Sequence, residues 1–254
     1  MLIRKTKPFN VGFAEISVSG NNDPESIGFG ILSLAKGSPY TDERLRERGF
    51  MLISGRVRFN WANGVFEAER HSMLDTAPSS LHVGVGSTIM ISTLSDFVEL
   101  AVFDVPNPNP LPVLAIPPID VRISAVSPVK LDHTADREIR TVLDDSNAPH
   151  SAMTFGEVVN HPGRWSSYPP HHHSQKELYH FRFFPSGGFG YSGQGEEVYK
   201  VKDGDTVLIP SGLTHPQVAA PGYTMVYLWC IRHLAGDRFG ADSRKYPTEF
   251  AWTL

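Results

Sequence analysis

Pro169-Pro170-His171-His172-His173-Ser174-Gln175-Lys176-Glu177 carries three consecutive histidines and, four residues after the last, a glutamate, in the spacing H-x-H-x3-E. On an extended chain residues two apart face the same side, so His171 and His173 project together while His172 points away. Two imidazoles on one face, with a carboxylate across a short turn, supply mixed N and O ligands that suit a divalent first-row metal. A histidine run alone is equally a feature of solvent loops, so a second piece matters. Gly204-Asp205-Thr206-Val207-Leu208-Ile209-Pro210-Ser211-Gly212-Leu213-Thr214-His215 reads G-x5-P-x-G-x2-H. The Asp203-Gly204 turn opens a strand on which Val207 and Ile209 alternate inward, and Pro210-x-Gly212 turns the chain back to present His215.

Together the two pieces resemble the paired motifs of the cupin superfamily, small antiparallel barrels that hold one metal in their mouth. The resemblance implies His171, His173, Glu177 and His215 as the metal ligands. Phe184 and Ala219 stand where the generic motifs carry glycine and asparagine, and neither position is a ligand.

Outward from this site, the 254 residues are 41% hydrophobic and 20% charged, which argues against disorder and coiled coil. Gly 22 and Pro 20 favour many short strands with tight connections. The net charge of −4, without a basic block, makes nucleic acid and anionic membrane poor partners. Cys230 is the single cysteine, which excludes an intrachain disulfide and a thiolate cluster and suits a reducing cytoplasm. No apolar signal core follows Met1, and no run approaches the roughly 18 apolar residues of a bilayer span.

The first half reads as strands at Ile27 to Leu34, Met51 to Ile53, Arg56 to Trp61, Val65 to Glu67, Thr88 to Thr93 and Phe97 to Val105. Ser54-Gly55 and Asn63-Gly64 are read as hairpin turns, the latter because both residues tolerate positive φ. Asp42 to Arg48 reads as a short, charged, solvated helix. Pro106, Pro108, Pro110, Pro112, Pro117 and Pro118 mark a stiff linker. Strands resume at Val121 to Val126, Ser151 to Val159, Glu177 to Phe184, Gly188 to Ser192, Glu197 to Val201, Thr206 to Pro210 and Tyr223 to Ile231. The expected architecture is all-β, a bicupin of two antiparallel jelly-roll barrels: a degenerate N-terminal domain at 1–118 and a metal-binding C-terminal domain at 119–254. His71 and His82 in the first half are isolated and read as surface or core.

Gly163-Arg164-Trp165-Ser166-Ser167-Tyr168-Pro169-Pro170-His171-His172-His173 resembles the W-S-S-Y-P-P-H-x-H signature of 5-deoxy-glucuronate isomerases. Glu177 to Phe183, Pro185 to Gly190, Ala220 to Tyr223 and Ala235-Gly236 with Arg238 are similar to the same family, and more loosely so are Pro8-Phe9 and Arg137 to Leu143. The segment between His173 and Glu177 is shorter than in that family, and Trp229 to His233 departs from its tail. The resemblance implies a metal-dependent aldose–ketose isomerase of myo-inositol catabolism that converts 5-deoxy-D-glucuronate to 2-deoxy-5-keto-D-gluconate. It also implies one divalent ion, zinc first, with manganese, iron, nickel or cobalt as alternatives. A small deoxy-uronate is the expected partner, and a homo-oligomer is compatible with the sequence. Alternative readings are an isomerase of a related uronate such as 4-deoxy-5-keto-uronate, an iron-dependent cupin dioxygenase, and a non-catalytic sugar-binding cupin.

Alternation from Glu177 puts Tyr179, Phe181 and Phe183 on the metal-facing side and His180 and Arg182 on the other. Tyr179 is thus the candidate for a polar contact at the metal, and Glu177 for exchange between ligand and base. The substrate carboxylate calls for a guanidinium, whose planar fork matches two oxygens. Arg140 and Arg182 are the candidates from the familial strings. Trp165, Ser166, Ser167 and Tyr168 are expected to line the mouth.

Overall fold

The computed structural model of the chain describes residues 1–4, 10–20 and 23–253. Pro8 and Phe9 therefore lie outside the described residues. The structure is built almost wholly from antiparallel strands and falls into two compact units. One comprises the described residues of Met1–Lys7, Arg122–Thr141 and Met153–Leu254, the other those of Pro8–Val121 and Val142–Ala152. The units are therefore not two contiguous stretches meeting at residue 118. The first residues add an edge strand, Leu2–Ile3, to Thr206–Ile209, and the segment 142–152 belongs with the N-terminal unit.

In the unit that carries the histidine run, a seven-stranded sheet has the order Leu2–Ile3, Thr206–Ile209, Glu177–Phe184, Thr224–Arg232, Met153–Asn160, Arg137–Leu143, Arg122–Val126. A four-stranded sheet runs Trp165–Ser166, Gln217–Ala219, Phe189–Gln194, Glu197–Lys202. Both sheets contribute to one apolar core. Tyr179, Phe181, Phe183, Met225, Tyr227, Trp229 and Ile231 come from the first, and Val201 and Ala219 from the second. Period-2 alternation produces this face: Tyr179 pairs with Trp229 and Phe181 with Tyr227, while His180 pairs with Leu228 and points the other way. Each fully buried Phe here contributes roughly 1.5–3 kcal/mol.

The N-terminal unit is a nine-stranded antiparallel assembly around Leu32, Phe50, Leu52, Phe59, Leu81, Ile91 and Leu100. Four expectations change here. Met51 to Trp61 is not two strands with a turn: Glu47–Trp61 is one long strand, with its register shifted between Leu52 and Ser54 and Gly55 at φ 95°. The chain bulges there instead of reversing, and it pairs with Phe97–Val105 before that point and Gly64–Arg70 after it. The hairpin at Trp61↔Gly64 is present, but neither Asn63 nor Gly64 adopts positive φ. Asp42 to Arg48 is not a solvated helix. Asp42 ends the strand Tyr40–Asp42, Arg48 lies within the long strand, and both are buried. Arg48 Nη1 donates to Asp42 Oδ1 at 2.9 Å and Nη2 to the Ser87 carbonyl at 2.7 Å, which offsets the cost of burying the charge. The proline run is not featureless either, since Leu114–Ile116 pairs with Ser80–Val83. Among the described residues no helix is long and apolar enough to cross a membrane.

Candidate metal centre

The two motif pieces meet through the backbone. Glu177 pairs with Ile209 at the adjoining ends of their strands, and the Gly212 N–H donates to the His173 carbonyl at 2.8 Å. Gly212 sits at φ 79°, the left-handed region in which a side chain would be strained, and this turn brings His215 back over Glu177. The candidate ligand atoms of His173, Glu177 and His215, all three buried, lie within 4.8 Å of one another. His173 Nε2 is 3.3 Å and His215 Nε2 3.2 Å from Glu177 Oε2. His171 stands beside this group, its ring centroid 4.9 Å from that of His215 and 6.4 Å from that of His173.

Each imidazole is held by the backbone from behind. Nδ1 of His171 lies 2.9 Å from the Pro169 carbonyl, Nδ1 of His173 2.9 Å from that of Gln175, and Nδ1 of His215 2.9 Å from that of Leu213. A carbonyl only accepts, so each Nδ1 carries a proton, and Nε2 of His173 and of His215 donates to Glu177 when protonated or offers a lone pair to a cation when not. Imidazoles of His173 and His215 converging on one carboxylate, with backbone carbonyls orienting the rings, are what a metal ligand set requires. The buried Nε2 of His215 has no aligned hydrogen-bond donor or acceptor of its own. The donor set therefore fits a divalent cation.

The charge states fit as well. Burial would push the Glu177 carboxyl up, but hydrogen bonds and charge from His173 and His215 hold it down at about 2. Burial, reinforced by His215, pushes His171 down to about 3. At neutral pH the site presents a carboxylate and a neutral His171 imidazole, both in ligating form.

Above the cluster the Tyr179 hydroxyl bonds Ser167 Oγ at 3.0 Å, and the Tyr227 hydroxyl bonds Ser166 Oγ at 2.5 Å. Burial, then the Glu177 charge, raises Tyr179 well above the usual phenol range, so it is a donor at neutral pH. The Tyr168 ring packs on Trp165 with centroids 5.8 Å apart, and its carbonyl accepts from Arg137. Phe239 and Tyr246 complete the wall, 4.9 Å from the His173 ring and 5.7 Å from the His171 ring.

Arg140 and Arg182, expected at the substrate, are on the opposite face of the sheet. Arg140 pairs with Glu157 at 2.7 Å and with Glu138. Glu157 is opposite Leu228, on the side away from Tyr227. Arg182 donates to His180 Nε2 at 3.2 Å, and His180 Nδ1 meets Thr206 Oγ1 at 2.9 Å. Arg140 and Arg182 are thus engaged by neighbouring side chains on that face. Alternation along Tyr223 to Ile231 would have found Tyr227; Phe239 and Tyr246 arrive only through long-range folding and had no local signal.

The sequence profile of the KduI/IolB family matches residues 2–246. The chain belongs to the KduI/IolB family. It is 30% identical over 225 residues to the 5-deoxy-glucuronate isomerase of Geobacillus thermodenitrificans (strain NG80-2), covering 80% of this chain and 79% of that one. It is 28% identical over 233 residues to the 5-deoxy-glucuronate isomerase of Bacillus subtilis (strain 168), covering 84% and 83%. The fold is similar to that of an IolB-like protein from Salmonella typhimurium LT2, with TM-score 0.87 over 100% of this chain and 99% of that one at 23% identity. An oxalate decarboxylase of Lactobacillus farciminis, as its formate complex, gives TM-score 0.63 over 89% and 82% at 13% identity. These likenesses establish a bicupin fold. Among the described residues the one group of His, Cys, Asp or Glu side chains placed to hold a metal ion lies in the C-terminal unit.

Proposed function

We propose that the protein is a metal-dependent aldose–ketose isomerase that converts 5-deoxy-D-glucuronate to 2-deoxy-5-keto-D-gluconate, in the cytoplasm, in myo-inositol catabolism. The observation that carries this reading is the family match over nearly the whole chain to relatives named 5-deoxy-glucuronate isomerase, combined with an oriented His/Glu cluster. His171, His173, Glu177 and His215 would hold one divalent ion, which we assign as zinc because the reaction needs no redox change. Bound there, it would supply Lewis acidity to the vicinal oxygens at C1 and C2 of the open-chain sugar.

The protein's own groups do the rest. Isomerisation takes the proton from C2 and delivers one to C1, while the hydroxyl proton passes from O2 to O1. Glu177, ionised and beside His173 and His215, would ligate the ion and could exchange between ligand and base. The Tyr179 phenol, kept protonated by burial, donates to a substrate oxygen, and Ser167 orients its hydroxyl. Tyr168 and Trp165 line the entrance. Metal-loaded protein incubated with 5-deoxy-D-glucuronate in deuterated water should form the ketose without oxygen or added cofactor, with some deuterium entering the new CH2OH carbon. Complete transfer of the C2 hydrogen without solvent label would instead indicate a hydride shift.

A further inference from the structure

The end of the chain returns to the histidine segment. His172 and Lys245 form an antiparallel bridge, with N–H to carbonyl bonds of 3.0 and 2.9 Å. Opposed residues of such a pair share a side, and their neighbours share the other, so Arg244 faces with His173 and Tyr246 with His171. The ring contacts agree: Tyr246 meets His171 at 5.7 Å, and the Arg244 guanidinium lies 5.4 Å over Phe239, itself 4.9 Å from His173. Arg244 is thus exposed at the rim of the cluster.

Arg137 reaches the same place from the other side. Its Nη1 and Nη2 donate to the carbonyls of Ala135 and Tyr168 at 2.8 and 2.9 Å, which pins the guanidinium to the loop leading into His171. Burial lowers its pKa, and it is close enough to couple electrostatically to Tyr227, Arg244 and Tyr179. Among the described residues neither Arg137 nor Arg244 has a carboxylate within ion-pair distance. Arg140, by contrast, carries two. Two neighbouring guanidiniums without a counter-anion, beside an oriented ligand cluster, repel each other until an anion is placed between them.

We propose that Arg137 and Arg244 form the anion subsite that receives the carboxylate of the sugar acid, the end remote from the carbons that isomerise. The proposal rests on reading the site as a uronate isomerase. Arg137 is the fixed half, anchored by backbone carbonyls. Arg244 is the exposed half, presented by the bridge at His172 and backed by Phe239. Together they discriminate an acid from a neutral sugar of the same shape, because the planar forks match the carboxylate oxygens and a neutral end leaves both charges unpaired.

The test is calorimetric titration of the metal-loaded, full-length protein with D-glucuronate and with its neutral methyl ester, in wild type and in R244Q, R244K and R137K. Arg244 is exposed and makes no hydrogen bond that holds the fold, so R244Q should fold and keep its metal. Wild type should prefer the acid by at least about tenfold. R244Q should lose about tenfold to a hundredfold of acid affinity, with ester affinity unchanged and R244K intermediate. R137K should weaken the acid likewise. Equal acid affinity in wild type and R244Q, or no preference of wild type for the acid, would overturn the subsite. The two readings separate cleanly. Acid preference lost in R244Q, without turnover of any deoxy-uronate by wild type, leaves the subsite and removes the isomerase. Turnover with KM unchanged in R244Q does the reverse.

Discussion

Each unit of the protein buries a glutamate against a histidine inside antiparallel sheet, yet the two clusters differ in what remains open. In the N-terminal unit Glu47 Oε1 takes His82 Nε2 at 2.7 Å and the Ser151 hydroxyl, while Oε2 takes Asn107 Nδ2 at 2.6 Å and the Ala152 N–H at 2.9 Å. Burial would raise that carboxyl, but the His82 hydrogen bond and its companions keep it lowered. Its acceptor positions are filled from within the unit, and nothing is left to hold a ligand. In the C-terminal unit Glu177 meets two imidazoles whose Nδ1 atoms are committed to backbone carbonyls, so both Nε2 atoms are turned to the carboxylate. The first arrangement is complete as folded. The second presents a donor set that fits a cation.

Breaking each cluster should therefore have opposite consequences. The largest effect expected is on activity: His173→Ala should reduce turnover to background and strip the metal, while far-UV circular dichroism stays that of a folded β protein. Metal analysis of the purified variant checks this, and full occupancy would contradict the ligand assignment. Glu47→Ala should leave metal content per folded molecule unchanged but strand His82, Asn107 and Ser151 in the interior, a loss of about 3–5 kcal/mol in denaturant unfolding. If it costs under about 1 kcal/mol, the N-terminal cluster is not the structural element described.

Tyr179→Phe should keep the ring packing on Phe181 and Tyr227 and the metal, and lower kcat about a hundredfold, equivalent to about 2.7 kcal/mol. Unchanged kcat would remove Tyr179 from the proton path. The smallest effect is in the acid stability of the metal-free protein. His171 is held at about 3 against an ordinary 6.5, so the unfolded chain takes up this proton first. Its contribution is intact above pH 6.5 and is lost progressively as the pH falls toward 3. Glu177, held at about 2 against 4.5, adds a loss that begins only below 4.5. His171→Asn should flatten the slope between 6.5 and 4.5 selectively, measurable as the midpoint of urea unfolding.

The contrast also shows which parts of the molecule could be read from sequence. His173, Glu177 and His215, whose ligand atoms converge, were legible because local rules place them: period-2 alternation, a short turn and a proline–glycine reversal, and the same alternation puts His171 beside them. Strand boundaries such as Glu177–Phe184 and Phe97–Val105 were legible for the same reason. The same alternation already turned His180 and Arg182 away from the metal, and choosing Arg182 for the substrate ran against it. The long strand Glu47–Trp61 was misread because Ser54-Gly55 is equally good turn and bulge chemistry, and only the partners Phe97–Val105 and Gly64–Arg70 distinguish them. Asp42 and Arg48 were misread as solvated because a buried ion pair and a surface charge run have the same composition. Arg137 lay in the familial string from which Arg140 was chosen, whereas Arg244, Phe239 and Tyr246 had no local signal, since a bridge between residues 172 and 245 is a property of the fold and not of either segment.

The central claim is that the open cluster at Glu177 makes this chain a metal-dependent isomerase of a sugar acid. The most direct measurement is proton NMR of 5-deoxy-D-glucuronate with protein of known metal content, before and after chelation and after metal is restored. The account predicts the ketose product with metal near one per chain, loss of turnover on chelation, and recovery when the divalent ion returns. Protein that carries its full metal and leaves the substrate unchanged would contradict it.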